Sequence, residues 1–169
     1  MAKVSHDSEV LEIGQQVITA CAFIHQKLNG VEKVFLPRRA ATKKFLPSVY
    51  ELPGGHIDFG EEIIEGLKRE IKEEFGMSIN VGDPFHVFTY KNEVKGSHSI
   101  EVVYFATFVD SVEKITLNPE DHSEYQWFTK DEVLSNVVDS NKKGEDSEIH
   151  GILRGFSLLS GDSIYLGII

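Results

Sequence analysis

The chain has 169 residues, 41% hydrophobic and 26% charged, which is typical of a single soluble globular domain with a sizeable core. Its net charge of −10 argues against a nucleic-acid polymer as the main partner, because phosphate backbones require a basic surface. The single cysteine, Cys21, excludes a disulfide within the chain, and we expect it to be a core residue. Residues 1–16 lack the layout of a signal peptide, and no apolar run reaches the roughly 20 residues that span a bilayer, so a cytoplasmic protein without a membrane partner is expected.

Two strands are predicted at the start of the chain. Residues 17–25 are apolar and β-prone, and residues 31–36 partly alternate between apolar and polar. Asn29-Gly30, which lies between them, is a favoured hairpin turn pair. The second strand ends at Arg38 and Arg39, which by themselves fit a solvated rim.

A helix is predicted to follow a glycine turn. Residues 40–45 read as a loop, and residues 48–52 as a short strand that runs into the turn Pro53-Gly54-Gly55. Good helix formers come next, with Glu61 and Glu62 predicted in the first turn, where carboxylates complement the helix dipole. Gly76 is placed to end the helix. At about 100° per residue the apolar side chains form one buried stripe, which comprises Ile64, Leu67, Ile71 and Phe75.

Three glutamates fall on a neighbouring arc of the same helix. Glu70, Glu73 and Glu74 share a face, because residues three and four apart are neighbours on a helix. Carboxylates this close repel one another, and nothing in the fold alone requires them. Hard divalent cations such as Mg²⁺ prefer oxygen ligands and often bind together with substrate phosphates. The arc is therefore a candidate metal platform, with an acidic solvated face as the alternative.

The spacing of these residues resembles the Nudix box. The match has Gly55, Glu61, Arg69-Glu70-Ile71, Glu73-Glu74 and Gly76-Met77, with Met77 standing where an aliphatic residue is usual. At about 5–7% background frequency per fixed residue, a chance match is on the order of one in 10⁹ per start position. The resemblance implies an α/β fold, the Nudix α/β/α sandwich with a mixed sheet, over about residues 15–138. We expect a single domain over residues 1–169, with residues 139–169 as a C-terminal helix and strand extension.

The same resemblance implies a metal-dependent hydrolase, MutT-like, that cleaves a diphosphate linkage in a nucleoside diphosphate joined to another group. Mg²⁺ is the expected cofactor, with Mn²⁺ as a substitute, and the expected partner is a small nucleotide substrate. Glu70, Glu73 and Glu74 are expected to hold the metal, together with a carbonyl of Gly54. Arg69 is expected to orient its acidic neighbours.

Further site residues follow from the resemblance. An arginine at the end of the second strand often contacts substrate phosphates in the family, which points to Arg38 or Arg39. A glutamate in the acidic loop before the Trp-bearing strand often serves as an extra metal ligand or as the base that activates water. Glu120 is the first candidate and Glu124 the second, with an exposed acidic loop as the alternative. The proton of the attacking water is expected to pass to a carboxylate, either Glu120 or one of the three helix glutamates. Tyr90, near a strand end, is a candidate for contact with the substrate's base, although aromatics there are more often core.

The rest of the chain completes the predicted fold. Residues 85–91 and 99–109 read as strands joined around Gly96, and residues 130–137 as a short helix capped by Thr129. Residues 139–145 are predicted to be a mobile loop and residues 147–159 an amphipathic helix. The apolar segment 163–169 is predicted to be ordered, as an added strand or a dimer contact, so a monomer or a homodimer is expected.

Two other functions remain compatible with the same helix. One is hydrolysis of a nucleotide sugar or dinucleotide of the ADP-ribose type. The other is a Nudix domain that senses a nucleotide without cleaving it. Loss of a box carboxylate would favour the sensor, and the box retains all of them. Binding of ADP-ribose without turnover in Mg²⁺ would separate the sensor from both enzymes.

Overall fold

The computed structural model describes residues 10–137 and 147–161 and contains, within them, a six-stranded mixed sheet. The strands are β1 (Gln16–Leu28), β2 (Val31–Arg39), β3 (Gly54–His56), β4 (Ile79–Asn92), β5 (Ser97–Phe108) and β6 (His122–Phe128). Their order is β4-β5-β1-β2-β6, with β3 paired to β1 outside this path. β1 and β5 run parallel and the other pairs are antiparallel. The helices are α1 (Ile63–Phe75), α2 (Lys130–Glu132), which continues as a π-helical turn (Val133–Val137), and α3 (Ser147–Ser160).

The first hairpin is confirmed. β1 and β2 pair from His25 with Val34 to Leu28 with Val31. Asn29 and Gly30 connect them with φ angles of 53° and 79°, the positive values that a two-residue hairpin turn requires. Both strands extend beyond their predicted ends, because pairing with neighbours compensates for the polar residues there.

The glycine turn is the first correction. Gly54, Gly55 and His56 form β3, which pairs with Cys21, Ala20 and Thr19 of β1. The predicted strand at residues 48–52 is reduced to a single bridge between Tyr50 and Arg38. An added Cβ on Gly54 would lie 2.1 Å from the Ala20 carbonyl oxygen, at a φ of 152°. Glycine is therefore required for this strand to approach β1 so closely.

The start of the box helix is the second correction. α1 begins at Ile63 with Glu62 as its N-cap, so Glu61 and Glu62 precede the first turn rather than lying in it. The backbone of Glu61 donates to the Asp58 carbonyl, and the Asp58 amide donates to Glu61 Oε2, which holds Glu61 in a turn. The predicted end is confirmed, because Gly76 adopts a left-handed φ of 67° and its amide donates to Lys72.

Helices cover both faces of the sheet, which confirms the sandwich. On one face Leu67, Ile71 and Phe75 of α1 pack with Ala22 and Phe35. The opposite face carries Phe23, Val34 and Leu36, which pack with Ile152 and Phe156 of α3 and with Val133 and Val137. Successive residues of β1 and β2 thus alternate between two cores. Cys21 is buried, as expected.

The remaining elements largely follow the sequence. β4 and β5 form a hairpin that turns at Gly96, whose φ is 73°. Thr129 caps α2 in a capping box with Glu132, and α3 covers the predicted C-terminal helix. The predicted loop at residues 139–145 and the predicted ordered segment at residues 163–169 lie outside the described residues. In the part of the chain that the structure describes, no helix is long and apolar enough to cross a membrane.

Candidate active site

A cleft of about 470 Å³ opens beside the box helix. Gly54 and Gly55 of β3 and Glu70 and Glu74 of α1 form one wall. Strands β1, β2, β4 and β5, His56 of β3, the turn between β4 and β5, the segment 44–52 and the beginning of α3 supply the rest of the lining. β1 pairs with β2 only near the hairpin turn, whereas at Thr19–Cys21 it pairs with β3 instead. The two strands therefore separate there, and the cleft lies at this separation.

Glu70 lies at the base of this wall and is 5% exposed. An added Cβ on Gly55 would lie 2.6 Å from both Cδ and Oε2 of Glu70. Any side chain at Gly55 would therefore displace the Glu70 carboxylate. The second glycine of the motif thus allows a buried carboxylate to pack against β3 at the edge of the cleft.

Arg69 organises the carboxylates around it. Its Nε and Nη2 donate to the two carboxylate oxygens of Glu61 at 2.9 Å each, a bidentate pair. Its Nη1 donates to Glu70 Oε1 at 2.6 Å and to Glu73 Oε2 at 3.5 Å, and its Nη2 also donates to the His56 carbonyl oxygen at 3.0 Å. The hydrogen bonds that Arg69 donates to Glu61 raise the pKa of Arg69 above its usual value, so the guanidinium is a permanent cation. Arg69 therefore ties the helix to β3 and fixes Glu70.

The box carboxylates have the donor chemistry that a divalent cation requires. Glu70 and Glu74 line the cleft next to Gly54, whereas Glu73 lies on the more exposed side of the helix. Within residues 10–137 and 147–161, no three His, Cys, Asp or Glu side chains are already arranged to hold a metal ion together. A cation would have to compete with Arg69 for Glu70 and Glu73. The oxygen-rich set fits Mg²⁺ or Mn²⁺ in kind, with side-chain rearrangement on binding.

The two candidate arginines have different surroundings. Arg39 lines the cleft, and its Nη1 donates to both oxygens of Glu51 at 3.1 and 3.2 Å. Arg38 is not among the residues that line the cleft, and its Nη1 donates to Glu124 Oε1 at 3.2 Å. Hydrogen bonds from Tyr50 and Arg38 lower the pKa of Glu124. Of the two arginines, Arg39 is therefore the one in position to meet a bound ligand.

The loop glutamates lie apart from the cleft. Glu120 is exposed on the turn before β6, and neither Glu120 nor Glu124 is among the residues that line the cleft. Tyr90 does line it, and its ring stacks on Phe45 with 5.9 Å between centroids and 16° between planes. Burial raises the pKa of Tyr90. The structure thus brings Tyr90, Arg39, Gly54, Glu70 and Glu74 to one cleft.

Four further carboxylates line the cleft that the sequence did not single out: Glu51, Glu93, Glu101 and Glu148. Glu101 of β5 is 9% exposed, and Thr19 Oγ1 donates to its Oε2 at 3.0 Å. Glu148 of α3 accepts from the Leu52 amide at 2.9 Å. Burial raises the pKa of Glu101 and of Glu148; the charge of Glu51 raises both further, and the charge of Glu101 raises that of Glu148. One signal was available, because Glu101 alternates in phase with Ser99 and Val103, which places a charged residue on the buried face of the strand.

Comparisons with known proteins agree with this architecture. A family model of the NUDIX domain matches residues 16–148. The m7GpppN-mRNA hydrolase NUDT17 of Xenopus laevis is 36% identical over 66 residues, which are 39% of this chain and 22% of that protein. The match therefore spans about a fifth of that relative's length. No activity of the relative is carried over to this chain on that match alone.

Two solved structures share the fold. The MutT protein of Methanosarcina mazei Go1 superposes with a TM-score of 0.67 at 22% identity, over 89% of this chain and 98% of that one. The Ap4A hydrolase of C. elegans superposes with a TM-score of 0.68 at 23% identity, over 86% and 98% of the two chains. The family match covers most of the chain, and Gly55, Glu70 and Glu74 of the box line the cleft. The chain belongs to the NUDIX domain family.

Proposed function

We propose that the protein is a metal-dependent hydrolase that cleaves a diphosphate linkage in a nucleoside diphosphate joined to another group. The observation that carries this proposal is the shared cleft, where Glu70 and Glu74 of the box face the same space as Arg39. A diphosphate is bound by a divalent cation, which carboxylates hold, and by a guanidinium, which donates to the phosphate oxygens. Retention of every box carboxylate supports turnover over mere sensing.

The residues of the chain divide the work. Glu70, Glu73 and Glu74 would hold Mg²⁺ or Mn²⁺, and the bound cation would neutralise charge on the phosphate oxygens during the attack of water. Arg69 holds Glu70 in place through the 2.6 Å hydrogen bond and is itself fixed by Glu61. Arg39 binds a phosphate oxygen with N–H groups that Glu51 keeps oriented.

A carboxylate must accept the proton of the attacking water. Glu120 and the helix glutamates were the two sequence-based candidates, and Glu70 and Glu74 are the ones that line the cleft. A base must reach the water within about 2.6–3.2 Å, directly or through one further water. We assign this role to the helix glutamates and keep Glu120 as the residue to be tested against them.

The test is a panel of nucleotides assayed for release of phosphate, pyrophosphate or a nucleoside monophosphate. It contains nucleoside triphosphates, ADP-ribose, a nucleotide sugar, diadenosine tetraphosphate and a cap dinucleotide, with Mg²⁺ or Mn²⁺ and with EDTA. We expect at least one compound to be cleaved at the diphosphate, and the activity to disappear in EDTA. Full activity after exhaustive EDTA treatment, or binding without turnover across the panel, would contradict the proposal.

Glu70→Gln and Glu120→Gln, assayed on the cleaved compound, test whether the loop glutamate takes part in the reaction. Glu70→Gln is expected to lower kcat by roughly 10²–10⁴-fold, because it removes an oxygen ligand in the cleft. Glu120→Gln is expected to lower kcat by less than about threefold, because its side chain is exposed outside the cleft. A comparable loss of kcat in both variants would show that Glu120 takes part in the reaction.

A further inference from the structure

A small recess of about 30 Å³ opens off the cleft. Five residues line both spaces, and Arg39, Lys44 and Asn92 are among them. The box residues that line the cleft, such as Glu70 and Glu74, do not line the recess. The recess therefore extends the cleft in a direction away from the box helix.

The lining of the recess is basic. Four of its seven residues are Arg39, Lys43, Lys44 and Lys95, and none of the described residues that line it is acidic. In the whole chain 17 of 169 residues are Lys or Arg, and the net charge is −10. Arg39, Lys43 and Lys95 each pair with a carboxylate that does not line the recess, so the four cations outnumber these three carboxylates by one in a protein that is acidic as a whole. A recess of this size holds roughly two water molecules, so it can admit only a compact group such as phosphoryl and not a base or a sugar.

The cations are held in place by the fold. Lys95 is 5% exposed, and its Nζ lies 3.9 Å from Glu12 Oε2. Lys43 Nζ donates to Asp121 Oδ1 at 2.7 Å. Arg39 Nε donates to the Phe45 carbonyl oxygen at 3.1 Å. Carboxylates that lie behind these cations restrain them without occupying the recess, so a ligand would meet charges that are already ordered.

We propose that this recess binds a second phosphoryl group of the substrate, separate from the scissile diphosphate. The preferred substrates then belong to the class of nucleoside diphosphate derivatives that carry an additional phosphate on a sugar hydroxyl. This inference rests on the proposed function for its reaction, but the binding it requires does not depend on turnover. The recess selects among substrates, while the box helix performs the cleavage.

The test compares two pairs of compounds that differ by one phosphate: ADP-ribose with its 2′-phosphate, and dephospho-coenzyme A with coenzyme A. Dissociation constants are measured by calorimetry in EDTA, which prevents turnover. In at least one pair, the wild-type protein should bind the phosphorylated member about tenfold more tightly, an effect typical of charge-assisted hydrogen bonds. Repulsion from the net charge alone would give the opposite preference, and added salt should reduce the ratio.

Lys44→Gln is the variant, because Lys44 is exposed and its removal leaves the core intact. It should reduce the ratio to threefold or less, while Lys44→Arg should preserve it. Lys114→Gln is the matched control, because Lys114 is exposed and pairs with Asp110 away from the cleft. Equal affinities within both pairs in the wild type, or an unchanged ratio in Lys44→Gln, would overturn the proposal. If no compound of the hydrolysis panel is cleaved but the affinity ratio is as predicted, the proposed reaction is refuted and the phosphate-binding role of the recess is supported.

Discussion

At the scale of single residues, the site depends on the contacts that Arg69 makes with the glutamates around it. Its guanidinium contacts Glu61, Glu70 and Glu73, and two of these belong to the acidic arc. The positive charge reduces the repulsion that the arc creates in the absence of metal. The arc can therefore exist in a folded helix before any cation binds.

Glu73→Gln should separate stability from activity. Glu73 is the more exposed member of the arc and accepts a long 3.5 Å hydrogen bond from Arg69, so the metal-free protein should change in stability by a few tenths of a kcal/mol at most. The hydrolysis rate in Mg²⁺ should fall by roughly 10²–10⁴-fold, because a ligand is lost. Melting temperatures without metal and initial rates with Mg²⁺ test both halves. A variant that unfolds, or that retains more than about half of its rate, would make Glu73 a structural residue.

Glu101 should set a pH dependence of stability. Burial raises its pKa in the folded protein above the ordinary value of 4.5, so the folded state retains a proton that the unfolded state loses. The free energy of unfolding should therefore fall as pH rises from about 4.5 toward the raised pKa. Glu101→Gln removes this loss and keeps an acceptor for Thr19.

The variant and wild type are to be compared by thermal melts of the metal-free proteins at pH 4 and pH 8. At pH 8 Glu101→Gln should melt higher by about 2–4 °C for each kcal/mol gained, while at pH 4 the two should agree closely. A difference that is the same at both pH values would show that the carboxyl is not a protonated group in the fold.

At the scale of elements, the predictability of each segment depends on whether its signal is local. The end of α1 could be predicted, because a glycine after a run of helix formers is sufficient to stop a helix. β3 could not, because Gly54 and Gly55 have poor strand propensity and become a strand only by pairing with β1. The sequence predicts Glu61 and Glu62 inside the first turn of α1, whereas both precede it. Glu61 is held there by a hydrogen bond from Arg69, eight residues further along the chain, which a local pattern does not indicate.

The contact between α3 and the sheet gives a prediction at this scale. An added Cβ on Gly155 would lie 2.8 Å from Cδ2 and Cε2 of Phe23, a ring that is fully buried against Phe85, Phe105 and Phe156. Gly155→Ala gains about 1 kcal/mol of helix propensity but overpacks the core. We expect a net loss of about 1–2 kcal/mol in unfolding free energy.

Chemical denaturation checks this expectation, with Ser157→Ala as the control on the same helix. Ser157 is partly buried, and its hydroxyl donates to the Leu153 carbonyl oxygen within the helix, so its replacement should change stability by about 0.5 kcal/mol or less. A Gly155→Ala protein as stable as Ser157→Ala would mean that α3 can shift away from Phe23 at little cost.

At the scale of the whole molecule, the site is a product of long-range pairing. Thr19 and Glu101, 82 positions apart in the chain, become neighbours because β1 and β5 pair in parallel. The box could be predicted because its residues lie within one segment, whereas Glu51, Glu101 and Glu148 lie far apart in the chain and meet only in the fold. The basic recess escaped prediction for the same reason, since only the fold brings Lys95 to Arg39, Lys43 and Lys44.

The central claim, that the box carboxylates hold a divalent cation in this cleft, is tested most directly by Mn²⁺ binding. Free Mn²⁺ is measured by electron paramagnetic resonance during titration of the wild type, Glu74→Gln and Glu65→Gln. Glu65 lies on the same helix, where it pairs with the exposed Lys68, and it does not line the cleft. We predict that Glu74→Gln weakens Mn²⁺ binding by about 10–100-fold and that Glu65→Gln changes it by less than about twofold. Equal weakening in both variants, or none in Glu74→Gln, would contradict the account.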